Sequence, residues 1–231
     1  MESNRRSIGS PHSAIGDVAL YVFDLDGTLV DSRADLADSA NALLAECGGA
    51  PLPEEQIGRM VGEGAAVLVS RVFDAANTQS PPDALGRFLA LYDARLLDRT
   101  RAYDGIPDTL AALAARATLA VLTNKPRAAA LRILDGLGLA RFFNADDVVG
   151  GDGPLPRKPD PAGLQHLAGR AGVALDRTVL VGDSLIDWET ARRAGVRICL
   201  ARYGFGFDGF PMDRLRASDR WIDAPGDLLA L

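Results

Sequence analysis

The chain has 231 residues, 48% of them hydrophobic and 24% charged, with a formal net charge of -6 at pH 7. That is length enough for a sizeable core or a core plus a smaller second unit, with the composition of a soluble globular protein. The acidic balance argues against nucleic acid as a partner, and no apolar run approaches the ~18–20 residues of a transmembrane helix.

Residues 1–16 carry Arg5, Arg6, Ser7 and Ser10 without the apolar core of a signal peptide, and are expected to form a flexible tail on a cytoplasmic protein. Cys47 and Cys199 match no metal or redox spacing, so both are expected to be reduced core residues. The run 18–23 predicts a buried strand of a parallel sheet, ending abruptly on Asp24-Leu-Asp26-Gly27-Thr28. If the strand continued, the Cα atoms of Asp24 and Asp26 would lie roughly 6–7 Å apart on one side. Two like charges so close need a cation between them or a proton on one, whereas a plain Asp-Gly turn needs neither.

Helical patterns follow at 33–47, 53–61, 65–76 and 83–99, with Asp31 or Ser32 as the first cap and no convincing strand between them. From residue 103 the pattern alternates. Strands are predicted at 118–123, 147–150, 178–182 and 196–201, and helices at 108–116, 126–137, 161–171 and 185–194, with Gly136, Gly172 and Gly195 as left-handed ends. This is the signature of βαβ units. The reading is an α/β fold: a Rossmann-like parallel-sheet core at 17–32 and 101–231, with a small all-helical domain, 33–100, inserted after the first strand.

Three later strands also run into polar groups. The strand at 118 meets Thr123-Asn124-Lys125-Pro126 at a helix start, which suits an anion site or an ordinary N-cap. Lys158, held in Arg157-Lys158-Pro159, can present a positive charge to a phosphate, or lie in solvent. The strand at 178 exits onto Gly182-Asp183-Ser184-Leu-Ile-Asp187, where the carboxylates can hold a metal or cap the helix. In one parallel sheet these ends converge on one edge. Asp24, Asp26, Asp183 and Asp187 would then face Thr123, Asn124 and Lys158, a metal-plus-phosphate constellation.

These motifs, in this order, make the chain resemble the haloacid dehalogenase superfamily and, within it, the phosphoglycolate phosphatases. The resemblance implies that Asp24 is the nucleophile forming an aspartyl-phosphate and that Asp26 is general acid and then base. It implies that Mg²⁺ is held by Asp24, Asp183 and the backbone carbonyl of Asp26, with Asp187 supporting the metal, and that Thr123, Asn124 and Lys158 bind the phosphoryl group. The presence of Asp26 favours ester hydrolysis over dehalogenation, since a halide needs no proton. The insert stands where this family places a cap, with hinges expected near 31–32 and 101–103. Its stretch Arg59-Met-Val-Gly62-Glu63-Gly64 is similar to the family's substrate-facing segment, which makes Gly62, Glu63, Gly64 and Arg71 candidates for specificity. Gly62 and Gly64 could equally just join two helices, and Arg71 could lie on a solvated face. The stretch Arg202-Tyr203-Gly204-Phe205-Gly206-Phe207 is similar to the family's segment after the last core strand.

The expected function is Mg²⁺-dependent hydrolysis of a small phosphomonoester, 2-phosphoglycolate first, by a monomer or homodimer. A broader sugar-phosphate phosphatase, a pyrophosphatase and a phosphomutase share the motifs, although mutases often depart from threonine at the position of Thr28. A non-catalytic binding protein would have no need for four clustered charges. Dinucleotide chemistry is excluded by the lack of a G-x-G-x-x-G after the first strand.

Overall fold

The computed structural model describes residues 17–216 and 218–230, so the expected tail at 1–16 lies outside the described residues. Strand β1 (Leu20–Phe23) is buried along its whole length. Tyr21 and Phe23 point into one apolar cluster, and Leu20 and Val22 into another on the opposite face. Burial on both faces is why its sequence is continuously apolar rather than alternating.

The chain then forms β2 (Val30–Asp31), the helices α1 (Arg33–Glu46), α2 (Glu54–Gly58), α3 (Ala65–Ala75) and α4 (Ala84–Arg95), and β3 (Arg101–Ala102). Helix α5 (Ile106–Ala114), β4 (Thr118–Leu122), α6 (Arg127–Gly136), β5 (Val148–Val149) and α7 (Ala162–Ala171) come next. The fold closes with β6 (Thr178–Gly182), α8 (Leu185–Ala194), β7 (Arg197–Ala201) and β8 (Arg220–Ile222). The large sheet is parallel throughout, in the order β5-β4-β1-β6-β7-β8. Side chains of α5 and α6 cover one face, and those of α7 and α8 the other. The winding direction reverses between β1 and β6, and in such sheets the crevice at that reversal, beyond the strand ends, is where ligands bind.

The four insert helices leave and rejoin the core through the antiparallel pair β2–β3, with Val30 opposite Ala102 and Asp31 opposite Arg101. The crossing thus falls at the two expected hinge segments. A buried carboxylate braces it. Asp35, on α1, accepts hydrogen bonds from the backbone N–H of Arg99 at 2.9 Å and of Thr100 at 2.8 Å, and from the Thr100 hydroxyl at 2.7 Å.

Several boundaries differ from expectation. Helix α4 stops at Arg95, because the next residues turn to meet Asp35. Helix α5 starts at Ile106, after a left-handed Gly105 and with Pro107 in its first turn. Gly172 and Gly195 are left-handed ends as expected, but for α6 that residue is Gly138, not Gly136. Strand β8 was not anticipated, so the glycine-rich stretch at 202–207 does not follow the last strand. Cys199 is buried in β7 and Cys47 is half-buried at the end of α1, both free. No helix among the described residues is long and apolar enough to cross a membrane.

Candidate active site

The polar residues that terminate β1, β4 and β6 meet at the carboxyl edge of the sheet. Asp24 follows β1 directly, its N–H bonded to Val181 O at 2.8 Å, so the adjacent strand fixes its backbone. Asp183 follows β6, and Asp187 lies in the first turn of α8. Carboxylate oxygens of Asp24, Asp183 and Asp187 all fall within 4.8 Å of one another, and all three residues are buried. The Lys158 ammonium sits among them, 2.8 Å from Asp24 and 2.6 Å from Asp187.

Burial governs the charges here. It pushes the Asp24 carboxyl from 3.8 up to about 7, against the pull of Lys158 and with the push of Asp187. Asp183 is raised well above the carboxylate range, first by burial and then by Asp24 and Asp187. Burial works against the Lys158 charge too, but Asp187 and Asp24 outweigh it and hold the ammonium above the ordinary lysine value.

Asp183 is shaped by its neighbours. It accepts the Gly206 N–H at 2.7 Å and faces the Thr28 hydroxyl at 3.4 Å. Gly27 has φ +87°, and a Cβ there would lie 1.9 Å from Asp183 Oδ2. A Cβ on Gly204 would meet Gly27 O at 2.1 Å. The Tyr203 hydroxyl closes the group by donating to Thr28 O at 3.0 Å. The glycines of the first motif and of the 202–207 stretch therefore leave room for one carboxylate.

Asp26 stands apart from the three-carboxylate cluster. Its oxygens accept both contacts of the Lys125 ammonium, each at 2.9 Å, and Oδ1 also accepts the Ser32 hydroxyl at 2.5 Å. Ser32 occupies the N-cap position of α1 but makes no capping bond, because its hydroxyl is turned to Asp26. Thr123 is buried, its hydroxyl accepting the Lys125 N–H at 3.2 Å. Asn124 bridges core and insert, donating to Lys158 O at 2.9 Å and Gly62 O at 2.8 Å, while its buried Oδ1 has no partner among the described residues.

Four carboxylates, Asp24, Asp26, Asp183 and Asp187, face two ammonium groups, Lys125 and Lys158. Fully ionised, they carry an excess of two negative charges, the charge of one divalent cation. The cluster's donors are all oxygen, which suits a hard ion such as Mg²⁺. The residues fit a metal.

The insert roofs this edge. Val61, Gly62, Gly64, Ala65, Leu68, Phe88 and Tyr92 line a cavity whose floor is Asp24, Asp26, Thr123, Asn124 and Lys125. A strand-tip carboxylate beside a fixed ammonium, under an apolar roof, is suited to attack on a small anionic ester.

Comparison with known proteins agrees with this geometry. The family model described as haloacid dehalogenase-like hydrolase matches residues 21–201, most of the chain. The chain belongs to this family. Among curated members it is 47% identical, over 80% of its own length and 79% of the relative's, to a phosphoglycolate phosphatase of Rhodospirillum rubrum. It is 35% identical to one of Caulobacter vibrioides over 92% of both chains. A crystal structure of a predicted phosphoglycolate phosphatase from Haemophilus somnus superposes with a TM-score of 0.85 at 32% identity, covering 94% of this chain and 98% of the other.

Within the haloacid dehalogenase-like frame, some sequence expectations land elsewhere. Asp187 does two jobs at once: it contacts Lys158 and forms a capping box with Ser184 at the start of α8. Thr123 and Asn124 do not cap α6, whose N-cap position is Pro126. Gly62 and Gly64 line the cavity, but Arg71 and Glu63 are not among its lining residues. Arg71 does bind a carboxylate, that of Glu63, and also donates to Met60 O at 3.2 Å. Lys125 and Tyr92 were missed. The sequence signal for Lys125 was its place directly after Thr123-Asn124, whereas Tyr92 lies inside a helical pattern that offers no local signal.

Proposed function

We propose that the chain is a Mg²⁺-dependent phosphatase acting through an aspartyl-phosphate, with 2-phosphoglycolate as its substrate. The observation that carries this reading is Asp24, a carboxylate beside one ammonium and an acidic cluster, with a second acid in the same turn. Relatives named phosphoglycolate phosphatase support the choice of substrate. Residues 17–32 and 101–231 are read as the core and 33–100 as a cap over it, on a protein working in the cytoplasm as a monomer or homodimer.

Asp24 and Asp183, with the backbone carbonyl of Asp26 and support from Asp187, would hold Mg²⁺. Bound there, the ion supplies charge neutralisation for the carboxylates and the phosphoryl oxygens. Asp24 attacks phosphorus, forming one P–O bond as the ester P–O bond breaks, and Asp26 gives its proton to the leaving alkoxide. Asp26 then takes a proton from the water that attacks phosphorus, which frees Asp24 and releases phosphate. Lys158 and the Thr123 hydroxyl fix the phosphoryl group, and Lys158 also lowers the repulsion between Asp24 and a phosphate dianion. The apolar roof keeps bulk water out while the intermediate exists.

The test is phosphate release from 2-phosphoglycolate, sugar phosphates, nucleotides and pyrophosphate, with Mg²⁺ or with chelator. Release is expected to be highest for 2-phosphoglycolate, lost with chelator, and about a thousandfold lower or worse in Asp24→Asn. Equal release across the panel would overturn the substrate, and undiminished release by Asp24→Asn would overturn the mechanism.

A further inference from the structure

Among the described residues that line the cavity, Lys125 carries the one charged group that the phosphoryl chemistry does not use. It is deeply buried, with its side chain 4% exposed, and it comes from the core. An ammonium has three N–H donors, and the Asp26 carboxylate occupies two. Over the same ammonium, 4.5 Å from its ring centroid, lies Tyr92 of the insert helix α4. The Tyr92 hydroxyl is buried beside the Lys125 ammonium, which can only donate to it, and no acceptor among the described residues takes its own proton. Leaving a buried hydroxyl unpaired is costly, and the cost is recovered when a ligand supplies an acceptor. Burial pushes that phenol up to about 12, so it is a donor throughout the physiological range.

We propose that Lys125 and Tyr92 together form the subsite for a carboxylate on the substrate. The inference rests on the phosphatase reading and narrows its substrate class to phosphate esters of short hydroxy acids. Position supports it. In 2-phosphoglycolate a single methylene separates the ester oxygen from the carboxylate, so the group that protonates that oxygen and the group that binds the carboxylate must be neighbours. Asp26 and Lys125 are 2.9 Å apart. The contact of Lys125 with Asp26 is to a carboxylate already, and the donor that Asp26 leaves over is the one an arriving carboxylate would use. The rest of the roof, including Leu68 and Phe88, is apolar, which strengthens a charged contact and offers nothing to the hydroxyls of a sugar. One half of the subsite comes from the core and one from the insert, so a carboxylate held there ties the two together.

The experiment compares kcat/KM for 2-phosphoglycolate with that for ethyl phosphate, which has a methyl in place of the carboxylate. Wild type is expected to prefer the carboxylated ester. Lys125→Met is expected to shrink that preference about 10- to 100-fold, mainly through KM, and Lys125→Arg to restore part of it. Tyr92→Phe is expected to shrink the preference about 10-fold while leaving the melting temperature of the free protein within a few degrees of wild type, because the proton it deletes has no acceptor there. That combination separates a substrate-binding hydroxyl from a structural one, and it stands even if Lys125→Met fails to fold. A wild-type preference left intact by Tyr92→Phe and by whichever Lys125 variants fold would overturn this subsite and leave the phosphoglycolate reading standing. No preference in wild type would overturn both.

Discussion

At the scale of single residues, the site is a set of buried charges that oppose one another unless something is added. Asp24 and Asp183 are both pushed towards their neutral forms, first by burial and then by neighbouring carboxylates, Asp187 for the one and Asp24 and Asp187 for the other, while Lys158 pairs directly with Asp24 and Asp187. The folded pKa of Asp24, about 7, lies above its ordinary 3.8. The native state therefore binds that proton more tightly than the unfolded chain does. Its stabilising contribution is complete below about 4 and is lost as pH rises through about 7. A divalent ion needs these carboxylates ionised, so protons and metal compete for them. The rise in melting temperature on replacing chelator with Mg²⁺ is accordingly expected to be larger near pH 8 than near pH 5.5. A rise of equal size at both values would contradict this account of the cluster.

At the scale of elements, strands deliver the polar groups of the site and a helix start holds one of them. Asp24, Thr123 and Asp183 each stand directly after an apolar strand, and Asp187 is locked by the capping box that begins α8. This part was legible in the sequence, because a short buried run that stops on polar residues is a local pattern. What was not legible depends on contacts between distant parts of the chain. Lys125 acquires its role only by reaching Asp26, 99 residues away in sequence. Ser32 looked like a helix cap, and nothing local indicates that its hydroxyl turns to Asp26 instead. Strand β8 has three residues, and β2 and β3 have two each, too few to show a period. The β2–β3 crossing also depends on Asp35, whose carboxylate satisfies donors of the returning segment. Asp35→Ala would leave those buried groups unpaired, and is expected to lower unfolding free energy by about 2–4 kcal/mol in urea titration. A change below about 0.5 kcal/mol would show that water serves those groups equally well.

At the scale of the whole molecule, the insert is not an appendage. Its apolar residues Leu36, Ile57, Phe73 and Phe88 belong to the same cluster as Phe23 and Val121 of the sheet. Its backbone also meets the site directly, through Gly62 O and Asn124. The clustered carboxylates come from the core and the roof over them from the insert, and the two are joined by the β2–β3 pair, by the shared apolar cluster and by the Gly62–Asn124 contact. The sheet order alone would serve many reactions. The group at the tip of the central strand decides the chemistry in the proposed mechanism, where every later step follows from covalent phosphorylation of Asp24. The most direct measurement is to quench the Mg²⁺-loaded enzyme with borohydride during turnover of 2-phosphoglycolate and sequence the peptide containing residue 24 by mass spectrometry. An acyl phosphate at Asp24 would be reduced to homoserine there, in samples with substrate and not in those without. Turnover with Asp24 unreduced, or reduction at another carboxylate, would contradict the account.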